Sequence, residues 1–169
     1  MTPGKPGAIS PGAIWPGGYV APNGYNPPMR LLGIDYGLRR TGIAIGDTES
    51  RLALPFEVFE GLPDEQLAQA IGQLAGREAI SAIVVGLPLN ADGSVSGQSR
   101  ITERFILALQ EVIGGGAGGV PIHRASEYLS THDAEGKLAG HYTRLQKRAR
   151  VDALAAARIL QDWLDGQPT

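Results

Sequence analysis

The chain has 169 residues, 43% hydrophobic and 19% charged, with a formal net charge of −2. That is one domain's worth of sequence with enough apolar residues for a core, and global charge gives no argument for a polyanionic partner, which would need a local basic patch. Cysteine is absent, which excludes disulfides, thiolate metal sites and a Cys nucleophile and is compatible with a reducing cytoplasm.

No apolar run reaches the roughly 18 residues of a membrane helix, so no membrane association is expected. Residues 1–28, "MTPGKPGAISPGAIWPGGYVAPNGYNPP", are rich in Pro and Gly, lack periodicity and have no continuous apolar core. They do not read as a secretory signal, and their composition predicts a disordered N-terminal arm ahead of a single domain over 29–169. Met29 stands directly before the first strand-like run and is an alternative start; otherwise Trp15, Tyr19 and Tyr25 offer stacking groups to a partner.

From Arg30 the pattern is regular. Residues 30–36 and 41–46 read as strands joined by a tight, Gly-flanked turn, and 52–60 as a third in which Pro55 marks an edge or a bulge. Pro63 opens a helix to about Ala79, with Asp64 and Glu65 in the first turn where the helix dipole favours acids. "SAIVVG" (81–86) is the apolar run expected of a strand buried on both faces. The loop "LPLNADGSVSG" follows, then a helix from about Gln98 to Ile113, broken by "GGGAGG", and a fifth strand, "VPIHRAS" (120–126). Ser130 with Asp133 resembles a capping box for a short helix to about Leu138. A basic linker leads to a last helix from about Ala149 to Leu164. Three leading strands followed by strands alternating with helices predict an α/β fold, a mixed sheet with helices on both faces.

Three acids break this pattern. Asp35 ends the first strand, before the turn containing Gly37, where a turn-capping role is the simplest alternative. Glu127 follows the fifth strand, and ligands of open α/β sheets bind outside the carboxyl ends of strands; a solvated junction residue is the alternative. Asp152 shares a helical stripe with Ala156, Ile159 and Trp163, so it belongs to the face that presses on the sheet. Its alternative is a first-turn acid interacting with the helix dipole.

Burying an unpaired carboxylate costs several kcal/mol or forces protonation. Three that converge need a cation between them, and Mg²⁺ or Mn²⁺ suits carboxylate oxygens. Carboxylate-held metals activate water and stabilise the departing oxygen at a phosphodiester. His123, His132 and His141 are scattered without ligand spacing and read as surface or packing residues rather than a zinc site. Arg39 and Arg40 lie in the turn after Asp35, and Arg144, Lys147, Arg148 and Arg150 precede Asp152. Positive charge beside acids suits a nucleic acid whose phosphate must approach carboxylates.

"MRLLGIDYGLRRTGIAIGD", "AIVVGLPLNADGS", "EYLST" and "KRARVDALAAARILQDWL" occur in the order found in the YqgF-type (RuvX-like) nucleases, which this chain resembles from about Met29 to Asp165. These are small RNase H-like proteins described as Holliday junction resolvases and as processors of the 5′ end of pre-16S rRNA. The resemblance implies an RNase H-like mixed five-stranded sheet and a divalent-metal catalytic site of Asp35, Glu127 and Asp152. It places the basic pair nearest the last acid at Arg148 and Arg150, and a substrate loop at Leu87–Asn90 with Asp92 and Gly93, where a tight Asp-Gly turn is the alternative. The family's usual Asp-Glu-Arg before "LST" is here Ser126–Glu127–Tyr128. That departure bears on activity and metal preference, and Tyr128 could stack on an unpaired base for about 1–3 kcal/mol.

The expected activity is therefore metal-dependent hydrolysis of nucleic-acid phosphodiesters, with RNA favoured over branched DNA and Arg39, Arg40, Asn90, Lys147, Arg148 and Arg150 as nucleic-acid contacts. A junction resolvase cuts two strands symmetrically and needs a homodimer, for which no distinct element is visible. Two alternatives come from other classes. "DYGLRRTG" resembles the phosphate-holding hairpin of actin-like and sugar-kinase-like nucleotide binders, although the chain is too short for their second domain. Ser126 and Tyr128 leave room for a nucleic-acid-binding module that has lost catalysis.

Overall fold

The computed structural model describes residues 28–114, 119–128 and 144–167. The expected N-terminal arm up to residue 27, the capped helix after Ser130, His132 and His141 lie outside the described residues. Among the described residues no helix is long and apolar enough to cross a membrane.

The elements follow in the order β1 (Arg30–Asp35), β2 (Arg40–Asp47), β3 (Ala53–Glu60), α1 (Asp64–Arg77), β4 (Ile80–Leu89), α2 (Gly97–Ile113), β5 (Ile122–Tyr128) and α3 (Arg144–Asp165). They form one five-stranded sheet in the order β3-β2-β1-β4-β5. β1–β2 and β2–β3 are antiparallel, while β1–β4 and β4–β5 are parallel. This is the mixed five-stranded sheet that the sequence led us to expect. β3 is an edge strand, and its register shifts where Ile43 pairs with Glu57 but Ala44 with Pro55. Pro55 thus marks both an edge and a bulge, positions where its missing N–H removes no obligatory ladder bond.

Alternation along the strands sends side chains to two cores. Leu32 and Ile34 of β1, Ile43 of β2 and Ile83 and Val85 of β4 face α1 and α2, packing with Leu67, Ile71, Phe105, Ile106 and Leu109. Leu31, Ala44, Ala82 and Val84 face the other way, against Ala156, Ile159, Leu160 and Leu164 of α3. The helices obey ordinary end rules. α1 carries Asp64 and Glu65 in its first turn and Arg77 in its last. Ser96 caps α2 by accepting the Ser99 N–H at 3.0 Å, and Gly114 ends that helix at φ 77°.

Three boundaries differ from the sequence reading. β4 continues to Leu89 through residues expected as loop, because Leu87, Pro88 and Leu89 pair with Ser126, Glu127 and Tyr128 of β5. β5 therefore runs to Tyr128, and Glu127 lies within the strand rather than after it. α3 begins at Arg144, so the expected basic linker is helix. The stretch "RLQKRAR" contains no Pro or Gly and is made of good helix formers, which removes any stop signal before Asp152.

The far end of α3 is tied to β3. Arg51 donates to the Leu164 carbonyl at 2.6 Å, and Gln161 accepts the Ala53 N–H at 3.0 Å while donating to the Arg51 carbonyl at 2.9 Å. Leu160, wholly buried between α3 and the sheet, should be the sharpest test of this layer. Truncation by Leu160→Ala is expected to lower the unfolding free energy by about 2–5 kcal/mol, read as a reduced urea midpoint at unchanged slope.

Candidate active site

The carboxyl end of β1 is fixed by the residue after Asp35. Tyr36 is buried, stacks on Phe105 with ring centroids 4.5 Å apart, and donates its hydroxyl to Asp64 Oδ1 at 2.7 Å. Asp35 shares the parity of Leu31 and Gly33, so it lies on the α3 side of the sheet.

α3 approaches that side very closely because glycines line it. A Cβ at Gly33 would stand 2.7 Å from the Leu160 Cβ, and one at Gly42 would overlap the carbonyl oxygen of Asp152. Gly42 is the register partner of Asp35 across the β1–β2 ladder. The backbone of Asp152 is therefore pressed onto the strand beside Asp35. The helix begins more than two turns earlier, at 3.6 residues per turn, so Asp152 is not a first-turn acid and the dipole does not explain it.

Glu127 arrives from the opposite flank. Ala125 pairs with Gly86 and packs in the α3-side core, so Glu127, two residues on, faces the same way. A Cβ at Gly86 would stand 3.2 Å from Glu127 Oε2, so this carboxylate lies over a bare stretch of β4. Ile34 pairs with Val85, which makes Gly86 the neighbour of Asp35 one step further along the ladder. Asp35, Glu127 and Asp152 thus occupy one face at one end of the sheet.

Electrostatics follow from that placement. Burial pushes the Asp35 carboxyl up to about 7, and the charges of Glu127 and Asp152 push in the same direction. Burial also raises Glu127, opposed by Arg158 and reinforced by Asp162. Burial raises Asp152, opposed by Arg40 and reinforced by Glu60. Among the described residues no three His, Asp or Glu side chains are drawn into a ready-made metal cage. Mg²⁺ typically takes one or two carboxylates and completes its shell with water and substrate phosphate, so the donor set fits such an ion without a cage.

The expected nucleic-acid contacts are distributed around this face. Arg39 is exposed in the β1–β2 turn, and Arg40 Nε donates to Glu60 Oε1 at 3.2 Å, which ties Arg40 to β3. Arg150 is exposed on α3, while the side chains of Lys147, Arg148 and Tyr128 lie outside the described ones. Asn90 leaves β4 at the same carboxyl end, but its side chain donates to Ser94 Oγ at 2.9 Å and its carbonyl accepts the Gly93 N–H at 2.8 Å. With Gly93 at φ 82°, this is the tight Asp-Gly turn. His123 packs its ring 5.3 Å from that of Trp163, and burial lowers its pKa, as befits a packing residue.

Sequence reasoning missed Glu60, Arg158 and Asp162, because nothing local marks a charge as facing an acid on another element. It also missed the glycine face, although a signal existed: Gly42 and Gly46 share one parity on β2, and Gly33 shares the parity of Asp35 on β1.

Two outcomes are expected. The metal-free Asp35 carboxyl should titrate near pH 7 by NMR, and Glu127→Gln should lower that midpoint. Because the folded-state pKa lies above the unfolded value, the contribution to stability is full at acid pH and is lost as pH rises toward about 7. Asp35→Asn should remove that slope from chemical-denaturation curves. Gly42→Ala should displace Asp152 and lower the Asp35 midpoint as well as the melting temperature, whereas the exposed Gly97→Ala, with open space around its Cβ, should do neither.

Comparison with known proteins places these features in a family. The family described as RuvX: Holliday junction resolvase matches residues 29–166. A protein of Anaeromyxobacter sp. (strain Fw109-5) named "Putative pre-16S rRNA nuclease" is 39% identical over 140 residues, covering 82% of this chain and 98% of that protein. One of Synechococcus sp. (strain JA-3-3Ab), bearing the same name, is 42% identical over 142 residues, covering 82% of this chain and 84% of that protein. Among solved structures, T. thermophilus RuvC in complex with Holliday junction substrate is 16% identical with a TM-score of 0.47, covering 83% of this chain and 99% of that one. The chain belongs to the RuvX family, described as Holliday junction resolvases, and so to a class of phosphodiester hydrolases.

Proposed function

We propose that this protein is a divalent-metal-dependent nuclease whose catalytic and metal-holding residues are Asp35, Glu127 and Asp152, and whose substrate is the 5′ end of pre-16S rRNA. The observation that carries the site is the position of Asp35 at a strand end, where burial raises its carboxyl to about 7 and the charges of Glu127 and Asp152 push the same way. Three acids arranged this way repel one another until a cation intervenes. The names of relatives at 39% and 42% identity support the RNA substrate.

Mg²⁺ or Mn²⁺, when bound, supplies an activated water and stabilises the leaving oxygen. The chain's own groups do the rest. Gly42 and Gly86 keep the backbone low enough for acids from three elements to meet. Arg40 and Arg158 temper the charge at Asp152 and Glu127, and Glu60 holds Arg40 in place. Arg39, Lys147, Arg148 and Arg150 meet the phosphate backbone, with Asn90 on the turn at the same end of the sheet. In this reading residues 29–169 form the nuclease domain, residues 1–28 are an appended arm, and the protein works in the cytoplasm.

The family description favours a second reading, cleavage of a DNA four-way junction, which requires two sites in a homodimer. Both are tested by offering labelled pre-16S 5′ leader RNA and a four-way junction with Mg²⁺, Mn²⁺ or EDTA. Cleavage of the RNA that EDTA abolishes supports the first reading, and symmetrical junction cleavage by a dimer supports the second. Asp35→Asn, Glu127→Gln and Asp152→Asn should each cut the rate by more than the 10–100-fold typical of losing a supporting group. Binding without cleavage in any metal would instead indicate a binding module, and ATP hydrolysis a nucleotide binder.

A further inference from the structure

On the side of the sheet away from α3, helices α1 and α2 pack over β1, β4 and the inner part of β2. The outer corner of β2 and β3 has no helical cover there among the described residues. Leu52, Leu54 and Phe56 are 58%, 65% and 45% exposed. With Ile45, Pro55 and Met29 they line an open groove of about 700 Å³. Three large apolar side chains left in water on one small face call for an occupant.

We propose that the groove is a docking surface for residues 1–27 of the same chain. The chain enters the described structure at the groove's own rim. The Met29 carbonyl accepts the Thr48 N–H at 3.0 Å, and the Met29 N–H donates to Thr48 Oγ1 at 2.9 Å, which fixes the point from which the preceding residues depart. Those residues carry Ile9, Ile14, Trp15, Tyr19, Val20 and Tyr25, with Lys5 as their one charged side chain. Proline lacks a backbone N–H, so this stretch of sequence brings fewer backbone donors to an apolar groove. A chain spans at most roughly 3.3–3.6 Å per residue, so the ten-odd residues between Tyr19 and Met29 have an upper reach on the order of 30 Å, ample for a groove that starts at Met29. Asp47 and Glu49 at the groove's edge suit Lys5, while Arg30 on the same lining pairs with Glu78. A second copy pairing along β3 is disfavoured by Pro55, by the bulge beside it and by exposed Glu57 and Glu60, features that block edge-to-edge pairing.

The absence of native cysteine allows a direct test in the full chain. Leu54→Cys, at an exposed position, is combined with Gly17→Cys, and separately with Ala21→Cys. A control pairs the same arm positions with Leu107→Cys, also exposed but on α2. A tethered arm that does not dock still meets Leu54, near its root at Met29, more often than Leu107 on α2, a bias of proximity that Phe56→Glu leaves unchanged. Docking predicts disulfide formation within one chain at Leu54 that slows at least about tenfold when Phe56→Glu is added, with the rate at Leu107 unchanged. A rate at Leu54 that Phe56→Glu does not alter would overturn the proposal. So would a disulfide found at dimer mass, which would assign the groove to a second copy.

Discussion

The distance between α3 and the sheet governs everything else in this protein. A helix normally rests on a sheet through two layers of side chains; here Gly33, Gly42 and Gly86, on three adjacent strands, remove one layer around the end of β1. The α3 backbone comes down until the Asp152 carbonyl meets the Gly42 backbone, and the Leu160 side chain fills the space above Gly33. Ala156, Ala157, Ile159 and Leu160 complete the contact, and the Arg51 and Gln161 hydrogen bonds hold the far end. The backbone of Asp152 comes beside Asp35 only because that layer is missing.

Such an arrangement is costly by itself. The carboxyl ends of β1 and β5 and the N-terminal half of α3 all deliver negative groups to a partly dehydrated face. Burial and mutual repulsion act together on Asp35, the most enclosed of them. The neighbouring cations Arg40 and Arg158 offset only part of this, since Glu60 and Asp162 stand beside them. Unfavourable charge is thereby concentrated at one strand end. Tyr36, locked between Phe105 and Asp64, keeps the backbone from relaxing away from the strain.

The two faces of the sheet are used differently. α1 and α2 build a conventional core of large aliphatic and aromatic side chains, and they stop short of the β2–β3 corner. The α3 face trades side-chain bulk for closeness. A fold of this size can give one face to a functional site because the other supplies most of its apolar burial.

Much of this was written in the local sequence. Alternation and turn residues located all five strands, Pro55 announced an edge and a bulge, and the stripe through Asp152, Ala156 and Ile159 showed which side of the last helix turns inward. The acids at Asp35 and Asp152 stood out because each interrupts an apolar pattern, and such interruptions survive in any register. Tertiary structure alone decided the start of α3, the extension of β4 and β5 past Pro88 and Glu127, and the engagement of Arg40 with Glu60 and of Arg158 with Glu127. Periodicity reports what a residue's own neighbours along the chain require of it. Which charge comes to face another across a sheet depends on strand register and helix height, and these are set by packing between segments far apart in sequence.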